Sequence, residues 1–364
     1  MEAAQQQKQG NTATWTRINQ SGPVEGGVSH ACLSNLVIFT ESAEDLAPID
    51  ETIAQFVVKH PCRVILINAQ PRHVESKLQA DYSPRTFMTA TGKSGMCDQI
   101  TLKATGASVR ELAAAVQPLL VPDLPIYVWW RGMFLQQRAL VEQMLAYADR
   151  FIYDGATWNN LHYTVLQVSD LVERYKETVG FTNFNWSRLR PWRENTAAFF
   201  DAGMFDKQLW DIQRLRVDYM ALPGMEEGFE FRALLFVAWM AAQLEWQPLR
   251  GVPGAERAQL QFNSKKGQTV ETELVLLPQS AKGAQSIQRV TIGMAGQELS
   301  IERDHKDQLE VLSSRGQSGV AVLRKVPHAD SSAADLLYRE LGRRGRNRVF
   351  EKSFKLAAEL LQMI

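Results

Sequence analysis

The chain has 364 residues, 45% of them hydrophobic and 22% charged, and its 40 Lys and Arg balance 40 Asp and Glu. That balance supplies no global field to attract nucleic acid or an anionic membrane, and neither is expected as a partner. The longest apolar stretch, Ala233 to Leu244, is bounded by Arg232 and Glu245 and is too short to cross a bilayer.

The N-terminus has no basic region followed by an apolar one, so no signal peptide is expected. Residues 1–28 are rich in Gln, Gly, Ser and Thr and bury too little to offset ordering entropy, which predicts a flexible arm. Cys32, Cys62 and Cys97 are an odd number of cysteines in a long chain. They argue for a reducing compartment, and a cytoplasmic location is expected.

Residues 29–178 read as an α/β domain with a largely parallel or mixed sheet. Leu36 to Thr40 is a continuous apolar run, as in a strand buried on both faces. Ser42 or Asp45 is placed to cap a helix carrying Ile49, Ile53, Phe56 and Val57, which His60-Pro61 stops. Arg63 to Ile67 is the next strand, followed by β segments near Arg85 to Thr91 and Gln99 to Ala104. Ser108 is expected to cap a helix reaching Leu120. Pro125 to Trp130 is a strand, Leu135 to Ala148 a helix, and Phe151 to Tyr153 a short strand. A helix from Tyr163 to Tyr175 closes the domain. Strands alternating with helices define the class.

Residues 179–364 read as an α+β domain with an antiparallel sheet. Helices are expected near Arg188 to Phe200 and Gly228 to Leu244. Strand-like segments follow at Ala258–Phe262, Thr269–Leu277, Ser286–Gly293, Glu298–Glu302, Leu309–Leu312 and Val320–Arg324. Short Gly-containing connections between several of them indicate hairpins. Ser332 caps a C-terminal helix broken near Gly345 and resumed through Leu361.

Catalytic signatures are missing. No Gly-x-Gly-x-x-Gly follows a strand, and neither a P-loop nor a Gly-x-Ser-x-Gly elbow is present. The six histidines form no His-x-x-x-His pair and there is no Cys-x-x-Cys, so neither metal nor cofactor is expected. Glu302, Asp304 and Asp307 read as a polar hairpin turn. Arg343, Arg344, Arg346 and Arg348 read as a solvated linker, with an acidic partner surface as the functional option.

Two segments stand out, Leu124 to Gly132 with Trp129, Trp130 and Arg131, and Asn185 to Glu194 with Trp186, Arg188, Arg190, Trp192 and Arg193. Trp and Arg dominate interface hot spots, which makes these eight residues the partner-binding candidates. For any single tryptophan, core packing is the stronger expectation. Trp129 and Trp130 point to opposite faces of their strand, one toward the core and the other toward the surface at the strand's carboxyl end. Leu189, Trp192, Thr196 and Phe199 share a helical face, with Ser187 as its cap and Pro191 in the first turn.

The motifs Leu-Pro-x-x-x-Trp-Trp-x-Gly and Asn-Trp-x-Arg-Leu-x-Pro-Trp-Arg-Glu resemble hallmark stretches of the OpcA family. Asn35-Leu36-Val37, His60 to Ile65, Cys97 to Leu102 and Leu234 to Trp246 are similar to its other segments. Asp98 and Gln99 depart from its Cys-x-Glu-x-Ile strand. The resemblance implies a partner that assembles and activates glucose-6-phosphate dehydrogenase and catalyses nothing itself. It also implies redox control through thioredoxin, for which Cys62 and Cys97 are the candidates, with reduced, buried core thiols as the stronger expectation. The competing reading is an enzyme or small-molecule sensor at the carboxyl end of the first sheet, around Trp130 to Phe134 and Asp154-Gly155.

Overall fold

The computed structural model describes residues 29–30, 32–88, 92, 94–132, 136–155, 161–201, 206–220, 231–278, 287–304, 308–315, 318–327, 331–343 and 345–364. The expected N-terminal arm, Phe134, Asp307 and Arg344 lie outside the described residues. The chain forms two compact units, each discontinuous: residues 1–154, 174–182 and 331–346, and residues 155–173, 183–330 and 347–364.

The first unit is built on β1 (Ser29–His30), β2 (Asn35–Thr40), α1 (Leu46–Lys59), β3 (Arg63–Gln70), β4 (Lys77–Met88), β5 (Ser94–Thr105), α2 (Leu112–Val116), β6 (Ile126–Trp130), α3 (Arg138–Leu145), β7 (Arg150–Tyr153), the end of α4 (Leu161–Tyr175) and β8 (Gly180–Asn183). The sheet runs β5-β3-β2-β6-β7-β8, with β1 and β4 also on β5. Every described pair is parallel except β4 with β5. The sheet is mixed and mainly parallel, as expected. All six residues of β2 are buried, which is why the run reads as apolar without alternation. The stripe Ile49, Ile53, Phe56 and Val57 is the buried face of α1.

Some local expectations fail. Asp45 stands at the N-cap of α1 without capping it, because its carboxylate is turned to other partners. The helix expected after Ser108 is a 3-10 stretch, the short α2 and a second 3-10 turn. Ser108 lies inside the first stretch and donates to the carbonyls of Lys77 and Thr105.

The second unit holds α5 (Phe184–Arg188), α6 (Arg190–Asp201), β9 (Ile212–Tyr219), α7 (Phe231–Gln243), β10 (Gln247–Val252), β11 (Arg257–Asn263), β12 (Thr269–Leu276), β13 (Ile287–Met294), β14 (Gln297–Arg303), β15 (Gln308–Arg315) and β16 (Ser318–Pro327). Of the last helices, α8 (Ala333–Leu341) belongs to the first unit and α9 (Arg348–Leu361) to the second. The sheet order is β10-β11-β12-β9-β13-β14-β15-β16, antiparallel except for β12 with β9. On one face α7 lies against β9 and β12, with α9 packed on α7. Eleven of the 13 residues of α7 are buried, so its uniform apolarity marks a central core helix. Among the described residues no helix is long and apolar enough to cross a membrane.

Candidate functional site

In a doubly wound sheet the ligand crevice opens at the carboxyl ends of the two strands where the order reverses. Those strands are β2 and β6, in register from Asn35↔Ile126 to Phe39↔Trp130. The turn leaving β2 reads Thr40-Glu41-Ser42-Ala43-Glu44-Asp45. Two of its amides are already used: Ser42 N–H donates to the Thr40 hydroxyl and Glu44 N–H to the Ser42 hydroxyl, both at 3.1 Å. Thr40 in turn donates to the Asp45 carboxylate at 3.0 Å.

Arg131, one residue past β6, clasps Asp45 with two hydrogen bonds, Nη2 at 2.7 Å and Nε at 3.2 Å. Its guanidinium also lies 5.1 Å from the Trp129 ring. A planar fork against a carboxylate gives geometric specificity as well as charge neutralisation. Gln137 Nε2 donates to Glu41 Oε1 at 2.9 Å and holds the other acidic arm of the turn. Gly132 is required by crowding: a Cβ there would lie 2.9 Å from the Glu41 carboxylate and closer still to the Phe39 ring. Phe39 stacks on Trp130 with centroids 3.9 Å apart and planes 5° from parallel. Trp129 and Trp130 are both buried, so neither indole reaches the surface: both faces of this sheet are covered.

The second Trp/Arg segment lies in the other unit. Asn183, not Ser187, caps α5, its side chain accepting from Asn185 N–H at 2.9 Å. Ser187 sits inside α5, and Pro191 falls in the first turn of α6, where it displaces no helical hydrogen bond. Trp186, Leu189, Trp192, Thr196 and Phe199 are buried. Arg193 stacks on Trp186 at 3.5 Å and donates to the Trp186 carbonyl at 3.0 Å. Arg188 donates to Asn185 Oδ1 at 3.1 Å and lies 5.9 Å from the Phe184 ring. Arg190 is exposed and pairs with Glu194 at 2.6 Å. The eight candidates therefore divide three to five between the units, with all four tryptophans inside.

Extending the β3–β5 register two residues back sets Cys62 level with Cys97, and both are buried. Burial pushes the Cys62 thiol well above its ordinary value and the Cys97 thiol up to about 11. The thiolate is the reactive form, so both are poor nucleophiles at neutral pH. Asp98, which departs from the family pattern, pairs with Arg63 at 2.7 Å and accepts from the Tyr82 hydroxyl at 2.8 Å. Among the described residues no group of three His, Cys, Asp or Glu is placed to hold a metal.

One buried charge network escaped the sequence reading. Arg150 opens β7 and Glu340 lies on α8; their side chains are 5% and 1% exposed and approach to 4.0 Å. Thr182 donates to Glu340 at 2.9 Å, and Arg150 donates to the carbonyls of Arg343 and Gly345 at 2.8 Å. The expected linker run is thus partly a set of acceptors, with Arg346 paired to Glu177 at 2.9 Å. No local pattern marks two residues 190 positions apart; an arginine opening an otherwise apolar strand was the available signal.

A parallel sheet with this order, followed by a helix-backed, mostly antiparallel sheet, is also found in solved oxidoreductases. KijD10, a 3-ketoreductase from Actinomadura kijaniata solved with NADP and TDP-benzene, matches at 9% identity with a TM-score of 0.52, over 91% of this chain and 96% of that one. An NAD binding oxidoreductase from Klebsiella pneumoniae gives 0.51 at 13% identity, over 92% and 96%. At such identities the likeness shows the fold alone. Sequence places the chain more narrowly. Residues 54–170 match the glucose-6-phosphate dehydrogenase subunit N-terminal domain and residues 179–354 its C-terminal domain. The OxPP cycle protein OpcA of Synechocystis sp. is 26% identical over 326 residues, covering 86% of this chain, and that of Nostoc punctiforme 25% identical over 85%. The chain belongs to the OpcA family. It spans 66% and 67% of the length of those two relatives.

The fold class raises the question of a dinucleotide, and the residues do not fit one. A pyrophosphate is held by free backbone N–H groups on a glycine-rich turn and a helix N-terminus. This turn has no glycine, engages two of its amides with its own hydroxyls, and brings Glu41, Glu44 and Asp45 where the phosphates would lie.

Proposed function

We propose that the chain is a non-catalytic partner that assembles glucose-6-phosphate dehydrogenase and activates it in the oxidative pentose phosphate pathway. Membership of the OpcA family supplies the partner. The observation that carries the non-catalytic part is the acidic, clasped switch point, where Arg131 closes on Asp45 in place of a phosphate site. Because the tryptophans of both segments are buried, partner contact falls in this reading on the arginines. Arg190 is the most open of those in the second unit, its side chain 53% exposed. Cys62 and Cys97 are read as core thiols, and a thioredoxin-linked control would have to reach them through local opening.

The test is a steady-state assay. The chain alone with NADP and glucose 6-phosphate should form no NADPH, and the dehydrogenase of the same organism should gain activity when the chain is added. Turnover by the isolated chain, or a bound metabolite in purified protein, would favour an enzyme or sensor at the first sheet's carboxyl end, a reading that the oxidoreductase fold supports. Arg188→Ala and Arg193→Ala, followed by melting temperature and by activation, separate the roles of the second segment. Lost activation with unchanged melting marks an interface, and lower melting with intact activation marks a structural role.

A further inference from the structure

The face of the second sheet opposite α7 is polar, and its charges follow a pattern. Arg289 on β13 and Glu302 on β14 stand level in the ladder and pair at 3.0 Å. Four residues on, Gly293 of β13 is level with Glu298 of β14 on one side and with Arg214 of β9 on the other. Gly293 has no side chain, and Arg214 lies flat across β13 in the space it leaves: a Cβ at 293 would sit 2.9 Å from Arg214 Nε. Across that gap the Arg214 guanidinium approaches Glu298 to 4.0 Å. Two unlike-charge pairs thus straddle the β13–β14 seam on one face. They are open to solvent, with side chains 50% and 30% exposed in the first pair and 71% and 46% in the second.

We propose that this face is where two copies of the chain meet, about a twofold axis running along the β13–β14 seam. Such an axis lays β13 of one copy over β14 of the other at the same level. Arg289 then faces the partner's Glu302, and the flattened Arg214 faces the partner's Glu298. Each seam pair becomes a square of two positive and two negative groups with unlike neighbours on every side. Farther out β9 lies over the partner's β15, where Asp218, level with Glu310, is covered by Arg216 at 2.7 Å and is only 4% exposed. The six strands from β12 to β16 overlap. At a spacing of about 4.8 Å and a rise of about 3.4 Å per residue they offer roughly 700 Å² per copy, close to the ~800 Å² per partner of a stable interface.

Sedimentation velocity of the full chain tests this. The wild type should sediment as a dimer at micromolar concentration. Arg289→Glu alone and Glu302→Arg alone each place four like charges at the seam, and each should weaken self-association by at least about 30-fold. Mixed in equal amounts, the two variants should form a heterodimer, because one copy is then all negative at the seam and the other all positive. Repair of an intrachain contact cannot produce that rescue. Circular dichroism melts check that each variant folds; if either does not, Arg214→Glu with Glu298→Arg gives the same cycle. A monomeric wild type, a dimer that survives both reversals, or a mixture that stays monomeric would each overturn the proposal.

Discussion

Arg131 in the first unit and Arg289 in the second each meet a carboxylate, at 2.7 Å and 3.0 Å. The Arg131–Asp45 side chains are 18% and 28% exposed, against 50% and 30% for Arg289–Glu302. Around Arg131 the indole of Trp129 and the packed turn after β2 exclude most water, and the pair closes the switch point between β2 and β6. Around Arg289 the sheet face is open, so the pair adds little to stability, yet it remains available to a second surface. The same two functional groups seal one region and keep the other soluble and readable, and the deciding variable is how much water reaches them.

The largest effect is expected where sealing is most complete. Glu340→Ala leaves Arg150 buried without its counter-charge and should cost about 3–5 kcal/mol in denaturant unfolding, whereas Glu340→Gln keeps an acceptor for Thr182 and should cost less. An Ala variant as stable as wild type would show that the network carries nothing. Next comes the switch point. Gly132→Ala drives a methyl into the Phe39 ring and the Glu41 carboxylate and should cost about 1–3 kcal/mol by overpacking; the same substitution at the open turn Gly92, where a Cβ meets nothing but φ is +76°, separates crowding from backbone strain.

Burial also sets a pH dependence. The Cys97 thiol ionises near 9 when unfolded and at about 11 when folded. Between those values the unfolded chain releases a proton that the folded chain retains. The contribution is complete below pH 9 and is lost as the pH rises through the window up to 11, by about 2 kcal/mol. Cys97→Ala should flatten that part of the stability–pH profile, and an unchanged slope would place the titration elsewhere. The smallest effect belongs to the exposed helix pair: Arg190→Ala should change stability by about 0.5 kcal/mol or less, even if it alters binding of the dehydrogenase.

Period and composition made much of the fold legible. The continuous apolar run of β2, the stripe of α1 and the alternation along β11 and β12 each carry the signature of the surface they bury. The central strand β9 was missed, since Arg214, Arg216 and Asp218 dilute its apolar content and only its position between β12 and β13 makes it a strand. The cap at Asp45 was misjudged for a related reason: the residue type suits capping, but Arg131 arrives from 86 positions away and takes the carboxylate. The Trp/Arg segments were visible as anomalies. Whether an indole faces solvent or core depends on what covers each sheet face, and no local pattern reports that.

The most direct measurement is sedimentation of the same organism's glucose-6-phosphate dehydrogenase with and without the chain, absorbance being read at a label on the dehydrogenase. The prediction is a shift of the labelled enzyme to a larger species that contains both proteins, appearing at the same chain concentration at which its activity rises. A dehydrogenase boundary that does not move at saturating chain would contradict it.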